Sequence, residues 1–280
     1  MEEPRVSNKP FILDSVTHLQ AEHAGAAVVA ASHGGRYAGW YAATKGAGAV
    51  ILNDAGVGRD FAGVAGLGLL ARYGIPAACL SHRSARIGQG QHSYEQGRLS
   101  FVNEPARSLG LMAGMACAEA LAIMSKAAKS PISKPAPELE ARVEMPELGH
   151  DGVRVIVLDS ISLVTPDDIG HIAVTASHGG LLGGDPDTPV KYPVFAVVVN
   201  DADRGIDEAG ISRLPALDAK GIAGACVSAF SARIGDGRST LADGYISAVN
   251  AVAAQHGGAI GQSCKAWVSA MVDARATIKI

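Results

Sequence analysis

The chain has 280 residues, 48% hydrophobic and 18% charged, enough apolar surface for one large domain or two of ordinary size. Its 24 basic and 27 acidic residues nearly balance, which excludes the basic footprint of a nucleic-acid or anionic-membrane binder. No apolar run approaches the roughly 20 residues of a membrane span, the acidic start MEEPRVSNKP is unlike a secretory signal, and the four cysteines show no CxxC spacing. They read as reduced core residues of a cytoplasmic protein.

In chain order, residues 8–124 read as a first α/β repeat. GAAVVAAS (25–32), GAVILND (48–54) and IPAACLS (75–81) are short apolar runs suited to buried parallel strands. RYAGWYAATKG (36–46) fits a helix between the first two. FAGVAGLGLLARYG (61–74) predicts an Ala/Leu helix stopped by glycine, and MAGMACAEALAIM (112–124) a closing helix. Residues 125–152 hold four prolines and many charges and predict an exposed connector. Residues 153–280 repeat the scheme with HIAVTAS, VFAVVVND and IAGACVSA. Only LLGGDPDTPVKYP (181–193), opposite 36–46, departs from it. Gly183, Gly184, Pro186 and Pro189 forbid a regular helix there, so a surface loop is expected, with the role of a lid over a second-half site.

The repetition extends to letters. ASHGG stands at 31–35 and again at 176–180, each copy preceded by LDS at the same distance. Residues 49–90 align with 196–237 without a gap, and 22 of those 42 positions are identical, including NDA and SARIGxG. Drift alone does not keep that many, so the chain is a tandem duplication. The expected fold is α/β: two βαβ-type halves related by a pseudo-two-fold, each a parallel sheet flanked by helices.

Ligands of open parallel sheets bind at the carboxyl ends of strands, in the crevice where strand order switches. Every repeated polar cluster follows a strand. One residue from each of three strand ends gives a triad of Ser84 as nucleophile, His33 as base and Asp54 orienting the imidazole, and a second of Ser231, His178 and Asp201. Gly34 and Gly35, like Gly179 and Gly180, leave backbone N–H groups bare enough for an oxyanion hole. Arg86 and Arg233 carry forks suited to a substrate carboxylate. Asn53 and Ser32 are assigned to caps and turns. His33, Asp54, His178 and Asp201 could together ligate a metal, but no HExxH or paired-cysteine spacing supports one. Gly56, Gly58 and Gly63 do not make a dinucleotide loop, so no metal and no cofactor is expected.

The order strand, SHG, strand and polar loop, from ASHGG to NDAGVG, resembles the caspase-type proteases, whose catalytic histidine sits in a similar SHG. That resemblance implies a nucleophilic cysteine where this chain has Ala55 and Ala202, which excludes the family's mechanism. Three readings of function follow. The first is a hydrolase of a small anionic or amide-containing metabolite. The second is an isomerase or racemase with paired acid and base groups from the two halves. The third is a non-catalytic small-anion binder. The expected partners are a small-molecule substrate and further copies of the chain as a homo-oligomer, with no nucleic acid and no membrane.

Overall fold

In both halves, runs of Val, Ile, Ala and Leu are apolar on both faces, and both faces are covered. The computed structural model describes residues 11–131, 133, 135–187 and 189–278. They divide into two units. Unit 1 holds the chain up to Gly56, Gly63–Glu138 and Gly205–Asp207; unit 2 holds Val57–Ala62, Leu139–Arg204 and the chain from Glu208 onward. Each unit is thus completed by a short segment of the other half.

In unit 1, β1 (Phe11–Leu13), β2 (Ala27–His33), β3 (Ala49–Asn53), β4 (Ala77–Leu80) and β5 (Leu99–Val102) lie side by side in chain order. The first four are parallel and β5 is antiparallel to β4. Because each right-handed crossover steps in the same direction, α1 (Arg36–Thr44) and α2 (Gly66–Arg72) share one face. There Ala38, Ala42, Leu67 and Leu70 pack on Val28, Ala30, Val50 and Leu52. After α3 (Gly90–Gln96), helices α4 (Glu104–Ser108) and α5 (Cys117–Ala127) cover the other face, with Ala106, Leu121 and Met124 on Val29, Ile51 and Leu80. The order has no reversal, so the expected switch point is replaced by a plain row of strand ends.

Unit 2 has β6 (Arg142–Glu144), β7 (Val155–Leu158), β8 (Ile172–His178), β9 (Ala196–Asn200), β10 (Ala223–Val227) and β11 (Ile246–Val249), again in chain order. Helix α6 (Arg213–Ala219) packs on one face, and α7 (Gly237–Asp243), α8 (Ala251–Gln255) and α9 (Cys264–Thr277) pack on the other. The register repeats that of unit 1. Ala27 pairs with Ala49 as Ile172 pairs with Ala196. An irregularity in each sheet then brings His33 level with Asn53 and His178 level with Asn200. The two βαβ-type halves of the sequence reading are therefore present, with mostly parallel sheets.

Local differences have physical causes. β1 and β5 are too short to show a period in sequence. The helix expected over 61–74 is a 3-10 segment, Arg59–Val64, followed by α2, because Asp60 and Phe61 adopt φ of +54° and +58°. The closing helix starts at Cys117 rather than 112, since Gly114 turns at φ +87° and Ala116 bridges to Arg98. The connector of 125–152 is not simply exposed. α5 runs on to Ala127, Trp40 Nε1 donates to the Ala136 carbonyl at 2.7 Å, and Arg36 pairs with Glu138 at 2.8 Å. Farther on, β6 joins the second sheet antiparallel to β7. Residues 8–10, Ile132, Lys134 and 279–280 lie outside the described residues.

The 181–193 segment has no helix beyond the 3-10 turn Leu182–Gly184, and Thr188 lies outside the described residues. It is not loose, however. Val190, Tyr192 and Val194 pack on Ala173, Val197 and Val199, the sheet face that α1 covers in unit 1. Arg213 stands where unit 1 has Gly66, by the 147-residue offset. It is 4% exposed and donates to the carbonyls of Gly180, at 2.8 Å, and Pro189. Burial lowers its pKa to about 10, which keeps it charged at neutral pH. A guanidinium and three apolar side chains here take the place of a helix.

Candidate functional site

Most of the repeated polar residues are consumed by the fold. Asn53 Nδ2 donates to the Ala85 carbonyl and its Oδ1 accepts from Ala55 N–H; Asn200 does the same with Ala232 and Ala202. Ser32 Oγ accepts from Val16 N–H, as Ser177 Oγ does from Ile161 N–H. Ser84 Oγ donates to the Ser81 carbonyl at 3.0 Å and accepts from Arg98 N–H at 2.9 Å. Ser231 makes the matching pair with Ser228 and Tyr245. The hydroxyl proton of each expected nucleophile thus points at a carbonyl of its own turn, and the structure gives these serines a turn-locking role.

The expected oxyanion holes are also occupied. Gly34 N–H donates to the Asn53 carbonyl at 2.7 Å and Gly179 N–H to that of Asn200 at 2.8 Å, extending the ladder by one rung. Gly35 N–H donates to His33 Nδ1 at 3.1 Å, and Gly180 N–H to His178 Nδ1 at 3.2 Å. These four donors are committed within the fold. Gly34 is required for a different reason: a Cβ there would stand 2.4 Å from Cys79 Sγ. The glycine bonds do fix the tautomer of each histidine. With Nδ1 accepting, Nε2 carries the proton of the neutral ring. Burial pushes His33 down to about 4, so it is a neutral donor at physiological pH.

One element of the site was invisible to the sequence comparison. Asp54, 3% exposed, accepts through Oδ1 from His82 Nδ1 at 2.8 Å, from His82 N–H at 2.9 Å and from Gly56 N–H at 3.2 Å. Burial pushes the carboxyl up, but the bonds from the His82 ring and backbone outweigh it and hold Asp54 below its ordinary value. Asp54 therefore orients His82, which begins the turn after β4. His33, Asp54 and His82 stand at three consecutive strand ends, because His33 is level with Asn53, and Asn53 with Leu80.

Unit 2 lacks the pair. Its position equivalent to His82 is Ala229, whose N–H alone reaches Asp201 Oδ1 at 2.8 Å, beside Asp203 N–H at 2.9 Å. Without an imidazole, burial dominates and Asp201 is raised above the usual carboxylate range. Equivalent carboxyls have opposite shifts because unit 2 lacks the imidazole and adds the Asp203 carboxylate where unit 1 has Gly56.

The arginines expected to hold substrate anchor segments instead. Arg86 pairs with Asp207 at 2.8 Å, and Arg233 with Asp60 at 3.1 Å and Asp236 at 3.0 Å. Asp207 and Asp60 sit in the exchanged segments, so each arginine holds within its unit the piece supplied by the other half. Those segments follow a rare backbone. Ala55 to Gly58 all have positive φ, from +48° to +73°, and Ala202 to Gly205 repeat this from +47° to +69°. Each left-handed non-glycine residue costs roughly 1–2 kcal/mol, and such strain gathers where surrounding structure over-determines it. The second of these segments leads directly to His82. Gly205 brings the segment so close to His82 that a Cβ would lie 2.8 Å from its carbonyl, and Ile206 N–H donates to that carbonyl at 2.8 Å.

Among the described residues, no group of three or more His, Cys, Asp or Glu could hold a metal ion, and no helix is long and apolar enough to cross a membrane. Comparison with known proteins finds no matching family model, no matching curated protein and no matching solved structure.

Proposed function

We propose that unit 1 carries the active site of a hydrolase for a small anionic or amide-containing metabolite, with the Asp54–His82 dyad as its general base. The observation that carries this reading is the 2.8 Å contact between two buried side chains, Asp54 Oδ1 and His82 Nδ1. A carboxylate on Nδ1 fixes the ring and directs proton exchange to Nε2, the logic of every histidine base backed by an acid. With Ser84 engaged in its turn, the nucleophile is water. His82 Nε2 takes its proton, the hydroxide adds to the carbonyl carbon, and the same proton passes to the departing amine or alkoxide as the C–N or C–O bond breaks. His33, protonated on Nε2 and held neutral by burial, is the donor suited to the developing oxyanion. A neutral imidazole beside a carboxylate-backed one is the kind of divergence that separates acid and base roles.

The isomerase reading loses its footing because the dyad is not duplicated. The test is turnover of a panel of small esters and amides bearing a carboxylate. His82→Ala and Asp54→Asn should each lower the rate about 100-fold or more, while Asp201→Asn, in the half without the imidazole, should leave it nearly unchanged. Full activity in His82→Ala, or no hydrolysis across the panel, would overturn the reading.

A further inference from the structure

The aromatic residues are unevenly spent. Phe61, Phe230 and Tyr245 are 67%, 62% and 56% exposed, and all three belong to unit 2. They lie on three segments tied to one another. Arg59 N–H donates to the Ala229 carbonyl at 2.8 Å, the Arg59 guanidinium donates to the Ser231 carbonyl at 2.7 Å, and Tyr245 N–H donates to Ser231 Oγ at 3.0 Å. Phe61 is presented from φ +58°, a conformation bulky residues rarely adopt. An exposed aromatic set with arginines beside it has the composition of an interface centre.

The duplication indicates what would cover it. At the equivalent positions, 147 residues away, the chain has Glu208, Arg83 and Arg98 in place of the three aromatics. Arg83 and Arg98 are exposed residues of unit 1. Among the described residues the Arg83 guanidinium makes no hydrogen bond or ion pair, and that of Arg98 donates only to the Gly114 carbonyl. Guanidinium planes and aromatic faces attract, and arginine is the cation that stacks best. One scaffold thus offers rings in unit 2 and, at two of the equivalent positions, cations in unit 1.

We propose that a second copy of this chain docks here, the Phe61–Phe230–Tyr245 patch of one copy receiving Arg83 and Arg98 of the next. Since each copy carries both surfaces, the contact forms twice in a two-fold dimer or propagates head to tail into a ring.

Sedimentation equilibrium on the full chain tests this, using two surface variants whose folding is checked by circular dichroism. Phe61→Ala/Phe230→Ala/Tyr245→Ala and Arg83→Glu/Arg98→Glu should each weaken self-association by about 100-fold. Mixed together, the two variants should form a heterodimer, because one retains the cations and the other the rings. A wild-type chain that stays monomeric, a variant that associates as tightly as wild type, or a mixture that does not associate would each overturn the proposal.

Discussion

Replacing Asn103 or Asn250 by alanine should lower stability by about 3 kcal/mol each, measured as a drop in the urea midpoint. Each side chain is buried and makes four hydrogen bonds to backbone. Asn103 Oδ1 accepts from Ala77 and Ala106 N–H and its Nδ2 donates to the Ile75 and Leu67 carbonyls. Asn250 does the same with Gly224, Ala253, Ile222 and Leu214. Each also caps a helix, α4 or α8. Alanine would strand buried donors and acceptors at a strand start and a helix start together, and an unmade buried bond is more expensive than a made one is favourable. Ser100→Ala is the control. Its half-buried hydroxyl donates to the Cys79 carbonyl at 3.2 Å and also supports the Asp54 carboxylate, so its loss should stay near about 1 kcal/mol.

The second large effect is on acid stability. His33 has a folded pKa of about 4 against 6.5 in the unfolded chain. As pH falls below 6.5 the unfolded state takes the proton first, so the native state loses stability, in total about 3 kcal/mol by pH 4. His33→Gln should abolish that slope while keeping the fold. His92 and His171 are also lowered by burial, and Asp201, raised by burial, acts with the opposite sign. The difference between wild type and His33→Gln cancels all three. Asp54 acts elsewhere: its depressed carboxyl contributes above its unfolded value and is lost only at lower pH. Parallel pH curves for the two proteins would mean that the His33 ring is solvated.

These effects bear on what could be read from sequence. β2, β3, β4 and α1 were legible because apolar runs and a glycine stop carry their own period. β6 was not, because three residues among prolines and charges pair only through a neighbouring strand. The site was half legible. His33 and Asp54 stood out because they recur at strand ends, but recurrence mostly marks residues that lock a turn, as Ser84, Ser231, Gly34 and Gly179 do. His82 failed the same filter for the opposite reason. It is the residue that makes the halves unequal, and comparison of the halves sets such a residue aside. The signal that could have found it is a titratable residue in a strand-end turn where the duplicate has alanine.

The most direct measurement of the central claim is the protonation pattern of the two rings by long-range ¹⁵N–¹H correlation on the full chain at neutral pH. His33 should carry its proton on Nε2, with Nδ1 accepting from Gly35. His82 should carry a proton on Nδ1, held by Asp54, and that resonance should shift or vanish in Asp54→Asn. A His82 ring with bare Nδ1, or one indifferent to Asp54→Asn, would contradict the dyad and the function built on it.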